Sequence, residues 1–325
     1  MTDHEPTQFW ERLDVTSWPV LDQEQTGSHE TTWLIDARDG TTRWLHKNTT
    51  LHAGREQGED WAEIVATQVG LHLGVPVAIT RLCLREGRRG SLSRDVRALQ
   101  FDLFSGHLVL EDCREVTDYI PHLEGEPAHD PQRPGVKRPG HSLENIRRAL
   151  GGSGAPPGFA GPSEMDAFDI FAGYLLFDAL VANQDRHEQN WAVLRPQLMS
   201  VAPRLCPSYD HSSSLGFAET AEKTAMRLSD PQSLHAWARK GAAGRFEHDR
   251  RPRKLSALAA DALTLASGIA RDHWLHRIDE IDLTPIIDPL LRDGIPEMSE
   301  QTTRFVITLL ELNMERIRHE LGQHR

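Results

Sequence analysis

The chain has 325 residues, with 36 Lys and Arg against 48 Asp and Glu, for a formal net charge of −12. That balance argues against gripping nucleic acid over a broad surface, which takes many cations to displace the counterions of phosphates. Hydrophobic residues at 38%, with eight Trp and ten Phe, suffice for a core and exclude global disorder, and the length allows one large domain or two lobes.

Residues 31–36 and 41–47 are rich in β-branched and aromatic side chains and flank Asp39-Gly40, which predicts a β-hairpin ending at Lys47. Trp61, Val65 and Val69 recur at i, i+4 and i+8, so 58–73 is predicted as a helix stopped by Gly74 and Pro76. A strand over 77–84 and a charged turn over 85–90 follow. Residues 121–141 hold five prolines and three glycines, and 151–162 is again rich in both, so each is expected to be a surface loop or disordered. Between them, 141–150 is helix-like. The spacing Ser163-x-x-Asp166 predicts a capped start for an apolar helix running to Val181. Further helices are predicted at 230–239, 254–269, 284–291 and 296–321.

The stretch most informative about chemistry begins where that apolar helix ends. A polar loop carries Asp185 and Asn190, a short strand is predicted over 191–194, and a second strand delivers Asp210. Taken singly, these are ordinary turn formers and a solvated loop acid. Together they are the parts phosphoryl transfer uses: a carboxylate to accept the attacking hydroxyl's proton, and an amide with a second carboxylate to hold Mg²⁺. His187 and His211 flank the acids, but no zinc-type ligand string is present, and hard oxygen donors favour Mg²⁺.

Asn183-x-Asp185-Arg186-His187-x-x-Asn190, followed by Tyr209-Asp210-x-x-Ser213, resembles the catalytic and metal loops of the HipA-like serine/threonine kinases. Its Asp-Arg-His-x-x-Asn string is also similar to that of phosphatidylinositol kinases. The resemblance is strongest over 163–215 and weaker over 27–93. It implies an α+β, two-lobed protein-kinase-like fold, with a small β-rich lobe over 1–96 and a larger, mainly helical lobe over 97–325. It further implies that Asp185 is the catalytic base, that Asn190 and Asp210 are Mg²⁺ ligands, and that His187 belongs to the catalytic loop, where it is expected to brace by hydrogen bonds. A kinase also needs a strand Lys for the α- and β-phosphates of ATP and a helix Glu to hold it, and Lys47 and Glu63 stand where the pattern puts them. Gly27 and Ser28 lie in the turn that would offer backbone N–H groups to phosphate. Autophosphorylation near that loop in the family makes Ser28 or Thr26 a candidate site.

The chain departs from protein kinases in lacking both G-x-G-x-x-G and D-F-G. The acceptor implied is a protein Ser/Thr hydroxyl or, on the same residues, a small-molecule or lipid-headgroup alcohol; a catalytically silent binding module is the alternative of a different class. A toxin role would further imply an antitoxin-type partner. The basic run at 245–254 is expected to be a solvated linker, or else a docking patch for an acidic partner or nucleic acid. Cys83, Cys113 and Cys206 are too scattered for a disulfide framework. The polar, acidic amino-terminal residues and the lack of any run near the roughly 18 apolar residues of a membrane helix predict a cytoplasmic protein without membrane contact.

Overall fold

The structure is a computed structural model and describes residues 10–26, 29–97, 99–122, 130–198 and 201–322. Its first part is built on a six-stranded sheet from β1 (Arg12–Asp14), β2 (Val20–Thr26), β3 (His29–Ile35), β4 (Arg43–Asn48), β7 (Thr80–Arg85) and β8 (Arg88–Arg94). A short hairpin, β5 (Leu51–His52) and β6 (Arg55–Glu56), and helix α1 (Glu59–Leu73) are inserted after β4. The strand order is β1-β7-β8-β4-β3-β2, with β1 parallel to β7 and the other pairs antiparallel.

The predicted hairpin is present as β3–β4. The Asp39 carboxylate accepts from the backbone N–H groups of Thr41 and Thr42 at 2.8 Å each, and Gly40 supplies the left-handed φ of +68° that closes the turn. Register then decides where Lys47 points. Thr31, Lys47, Ser91 and Leu82 lie opposite one another across β3, β4, β8 and β7, and facing residues share a side of the sheet. Leu82 belongs to the core that includes α1, so Lys47 is on that face. The other face buries Leu34, Trp44, Cys83 and Leu92 under Val15 and Trp18.

Helix α1 ends as expected, with Gly74 at φ +87° donating back to Gly70 and Leu71 carbonyls. It is an interior helix, not a one-sided amphipathic one. Asp60, Glu63, Thr67 and Gln68 are buried together with the apolar stripe. Both ends are tied to later parts of the chain: Arg12 bridges Asp60 and Glu297 at 2.7 Å each, and Arg277 donates to the Leu73 carbonyl at 2.8 Å.

The rest is mainly helical, with a three-stranded sheet ordered β11-β10-β9. Its strands are β9 (Phe101–Ser105), β10 (Ala192–Pro196) and β11 (Arg204–Leu205). Its helices are α2 (Gly106–Asp112), α3 (Leu143–Ala149), α4 (Ala167–Val181), α5 (Ala221–Ser229), α6 (Pro231–Ala238), α7 (Leu255–Leu265), α8 (Gly268–Glu280), α9 (Thr284–Arg292) and α10 (Glu300–Gly322). All residues of α4 are buried, and it packs against α1, α7, α8 and α10. Each large apolar side chain buried there contributes roughly 1.5–3 kcal/mol.

Several boundaries differ from expectation for local reasons. The capping box of α4 lies one turn later than predicted: Asp166 accepts from the Asp169 N–H at 2.9 Å, and the Asp169 carboxylate returns to the Asp166 N–H. The predicted helix 254–269 breaks at Ala266, because Ser267 caps α8 and is itself held by Asp169 at 2.7 Å. Helix α10 starts at Glu300, so Pro296 lies outside it. The strand predicted from Val77 begins at Thr80, and the turn after it is only Glu86-Gly87 wide. The described parts of the two Pro/Gly-rich insertions are stitched to the body: Gly154 exchanges backbone bonds with Pro203 and Leu205, and Lys137 does so with His248. The three cysteines are free, and among the described residues no helix is long and apolar enough to cross a membrane.

Candidate active site

Helix α4 runs directly into the polar loop. Ala182 takes a left-handed φ of +56°, and Asn183 then donates to Asp178 at 2.8 Å and accepts from the Asp185 N–H at 3.1 Å. Arg186 is the pin of this loop. Its guanidinium takes both oxygens of Asp178 at 2.7 and 2.8 Å, the Asn190 carbonyl at 2.6 Å and Ser208 Oγ at 2.9 Å. Burial opposes its charge, but Asp178 more than compensates and raises its pKa. Arg186 therefore packs the loop. Asn190 closes the turn by donating Nδ2 to the Asp185 carbonyl at 2.9 Å, which leaves Oδ1 as its free-facing donor oxygen for a cation. His187 Nδ1 accepts from the Gln189 N–H at 3.1 Å, the bracing expected of it.

The second segment carries Asp210 in a left-handed conformation, φ +58°. Its carboxylate meets Lys47 Nζ at 2.9 Å and accepts from Ser212 Oγ at 3.1 Å. Burial works against both charges, and the pairing outweighs it, so Asp210 is held down to about 2 and Lys47 is raised. Each keeps part of its side chain open, 29% for Lys47 and 25% for Asp210. Glu63 and Asp185 also act on the Lys47 charge, so carboxylates from α1 and both loops favour its charged form.

Glu63 is not the direct holder of Lys47 that was expected. Its Oε1 lies 3.4 Å from His211 Nδ1, while Lys47 has turned to Asp210. His211 stands between the helix and the loops. Its Nε2 is 2.8 Å from Ser208 Oγ, which already accepts from Arg186. Ser208 Oγ keeps both its own proton and a second lone pair, so it pairs with His211 Nε2 in either tautomer of the ring. Asp178, Arg186, Ser208, His211 and Glu63 thus form one buried line from the polar loop to α1.

Asp185 has a neighbour that motif spacing did not indicate. Arg245 Nε is 2.6 Å from Asp185 Oδ1, and Ser213 Oγ is 3.5 Å from Oδ2. The residue expected to open a solvated linker is at the proposed base. Its only signal in sequence was the basic character of 245–254, which carries no positional information. Gly27 and Ser28, together with the Thr26 side chain, lie outside the described residues.

Among the described residues no group of three or more His, Cys, Asp or Glu side chains is arranged to hold a metal. The Asn190 amide oxygen and the Asp210 carboxylate still fit Mg²⁺ in kind. Both are hard donors, and Mg²⁺ commonly takes one or two protein ligands and completes its shell with water and phosphate oxygens.

No family model matches the chain, and no curated protein matches it in sequence. Solved structures do match in fold. The Helicobacter pylori proinflammatory kinase CtkA aligns over 95% of this chain and 97% of its own at a TM-score of 0.70, with 18% identity. HipA of Shewanella oneidensis MR-1, in its complex with HipB and operator DNA, aligns over 99% of this chain and 67% of its own at 0.49 and 15%. The likeness to CtkA is one of fold: a β-sheet amino-terminal part and a helical carboxy-terminal part in a two-lobed, kinase-like arrangement.

Proposed function

We propose that the chain is an ATP- and Mg²⁺-dependent phosphotransferase that delivers the γ-phosphoryl group to a Ser or Thr hydroxyl of a protein. The observation that carries this reading is the meeting of Lys47, Asp210 and Asp185, from a sheet strand and two separate loops, within one electrostatic neighbourhood, with Asn190 closing the Asp185 loop. The kinase-like fold supports it. Lys47 donates to the α- and β-phosphate oxygens, and residues 1–96 serve as the nucleotide lobe, with Gly27 and Ser28 in its phosphate loop. Asn190 Oδ1 and the Asp210 carboxylate hold the metal, which neutralises phosphate charge when bound. Glu63 acts on Lys47 through space and fixes the Asp210 segment through His211. Asp185, in the lobe over 97–325, orients the acceptor hydroxyl and takes its proton. The new oxygen–phosphorus bond forms as the bond to the β-phosphate oxygen breaks; that oxygen keeps the electron pair, and ADP leaves.

Incubation with γ-labelled ATP and Mg²⁺, followed by phosphoamino-acid analysis, tests the reading. Label on Ser or Thr of protein is expected. Label confined to small-molecule alcohols would move the acceptor to that class, and bound ATP without any transfer would leave a silent binding module.

A further inference from the structure

Arg138 and Arg245 both reach the Asp185 to Asn190 loop from segments far apart in sequence, Arg138 at Glu188 and Arg245 at Asp185, and neither has a role in the transfer described above. Arg245 touches Asp185 directly. Arg138 lies where the charges of Glu188, Arg245 and Asp185 all act on it.

Their placement is built into the fold. Lys137 and His248 exchange backbone hydrogen bonds at 2.8 and 3.1 Å, and the Glu247 N–H donates to the His141 carbonyl at 2.8 Å. The Glu247 carboxylate in turn accepts from the Gly140 N–H at 2.6 Å. The Arg245 carbonyl lies 2.6 Å from His141 Nδ1, and Trp191 Nε1 donates to Nε2 of the same ring at 3.2 Å. Since Nε2 accepts, Nδ1 carries the proton and donates it to Arg245. Trp191 directly follows Asn190, so a single line of contacts sets Arg245 against the Asp185 loop. Arg138 holds a left-handed φ of +53°, a conformation that costs energy in a residue with a side chain and collects at ligand-binding positions.

Both guanidiniums have donors to spare. The Arg138 side chain is only 11% exposed, yet its nearest carboxylate oxygen, Glu188 Oε1, is 3.5 Å away, and among the described residues its N–H groups make no hydrogen bond. Glu188 therefore pairs only loosely with Arg138, and the like charge of Arg245 acts against it. Arg245, 40% exposed, hydrogen-bonds through Nε alone among the described residues, which leaves both Nη groups to donate. Two planar, permanently charged forks at one loop match a carboxylate.

We propose that Arg138 and Arg245 form an acceptor-side anion site that selects a Ser or Thr within an acidic stretch of polypeptide, its hydroxyl at Asp185 and a neighbouring carboxylate on the two guanidiniums. The inference rests on the reading of Asp185 as the group that receives the hydroxyl. Charge complementarity identifies the occupant. A chain of net charge −12 favours an acidic acceptor only where its cations are gathered, and these two stand at the loop of the reacting carboxylate. A polypeptide suits the site better than a metabolite, because exposed Lys137, Arg250 and Arg251 extend the cationic edge along both stitched segments, and among the described residues none of the three is in an ion pair.

The test is the binding of two labelled peptides, a single Ser flanked by Glu residues and the same peptide with Gln for Glu, read by fluorescence anisotropy without nucleotide. The Glu peptide is expected to bind at least about tenfold tighter at low salt. Arg138→Gln and Arg245→Gln should each remove most of that preference, and Arg138→Lys, which keeps the charge but not the fork, should retain part of it and show that the site still folds. Equal binding of the two peptides by the unaltered protein, or a preference unchanged in both Gln variants, would overturn the proposal. So would displacement of the Glu peptide by glutarate as readily as by unlabelled peptide, which would remove the polypeptide from the assignment. Phosphate transfer is read separately with γ-labelled ATP. Intact, arginine-dependent peptide preference without transfer supports the anion site and counts against the phosphotransferase reading alone.

Discussion

Glu63 on α1 faces His211, the residue after Asp210, with Oε1 3.4 Å from Nδ1, and both side chains are buried. The helix therefore meets the metal-type loop through His211 and not through a direct contact with Lys47. Because Arg12 and Arg277 also anchor α1, the position of Glu63 is fixed from three directions.

Replacing His211 by Ala leaves the Glu63 carboxylate buried and unpaired, a change expected to cost about 3 kcal/mol. Glu63→Gln keeps the shape of the side chain without its buried charge and should cost less than half as much. Urea unfolding of both single variants and the double variant checks this. The double variant should recover more than about 0.5 kcal/mol relative to the sum of the singles, and strict additivity would show that the two residues do not interact.

Arg186 makes four hydrogen bonds to three groups while almost fully buried. Arg186→Met should lower stability by about 3–5 kcal/mol, since Asp178 loses its counter-charge. A variant that loses phosphate transfer with unchanged unfolding would instead give Arg186 a role on the nucleotide.

Acid sensitivity follows from two buried imidazoles. Burial, then the charges of Arg85 and Arg88, pushes His46 down to about 4, and burial does the same to His141. Each folded-state value lies below the unfolded one of about 6.5, so between the two the unfolded chain binds more protons. Stability is complete above about pH 6.5 and falls as pH drops towards 4, by up to about 1.4 kcal/mol per pH unit for each group. His46→Gln should shrink the stability difference between pH 7 and pH 5. An unchanged difference would mean that His46 does not titrate between the folded and unfolded states.

Much of this arrangement was legible in residue order. The β3–β4 hairpin, α1 and the Asp185 to Asn190 loop depend on local signals: Asp39-Gly40, the i, i+4, i+8 apolar stripe, and short-range hydrogen bonds of Asn183 and Asn190. What escaped was carried by tertiary contacts. Helix α5 buries only Thr224, so no apolar stripe marks it. Helix α8 has one, Ala270, Trp274 and Ile278, but the apolar run before Ser267 masks its start. The Glu63–His211 contact and the approach of Arg245 to Asp185 join residues 148 and 60 positions apart. No spacing rule encodes either.

Metal dependence gives a separate check on Asp210 and Lys47. Titration calorimetry should show ATP binding strengthened by Mg²⁺ in the unaltered protein and reduced when EDTA is present. In Asp210→Asn the Mg²⁺ effect should vanish, and Lys47→Met should weaken ATP binding at least about tenfold in either condition, as expected for loss of a charge-assisted hydrogen bond. ATP affinity that ignores Mg²⁺ in the unaltered protein would remove Asn190 and Asp210 from the metal assignment.

In the proposed phosphoryl transfer Asp185 receives the acceptor proton. Single-turnover transfer from γ-labelled ATP, measured beside the ATP dissociation constant in the unaltered protein and in Asp185→Asn, tests it most directly. Transfer should fall by at least about 10²-fold, the lower range for loss of a general base, while ATP affinity changes by less than about threefold. Transfer at an undiminished rate in Asp185→Asn would contradict the account.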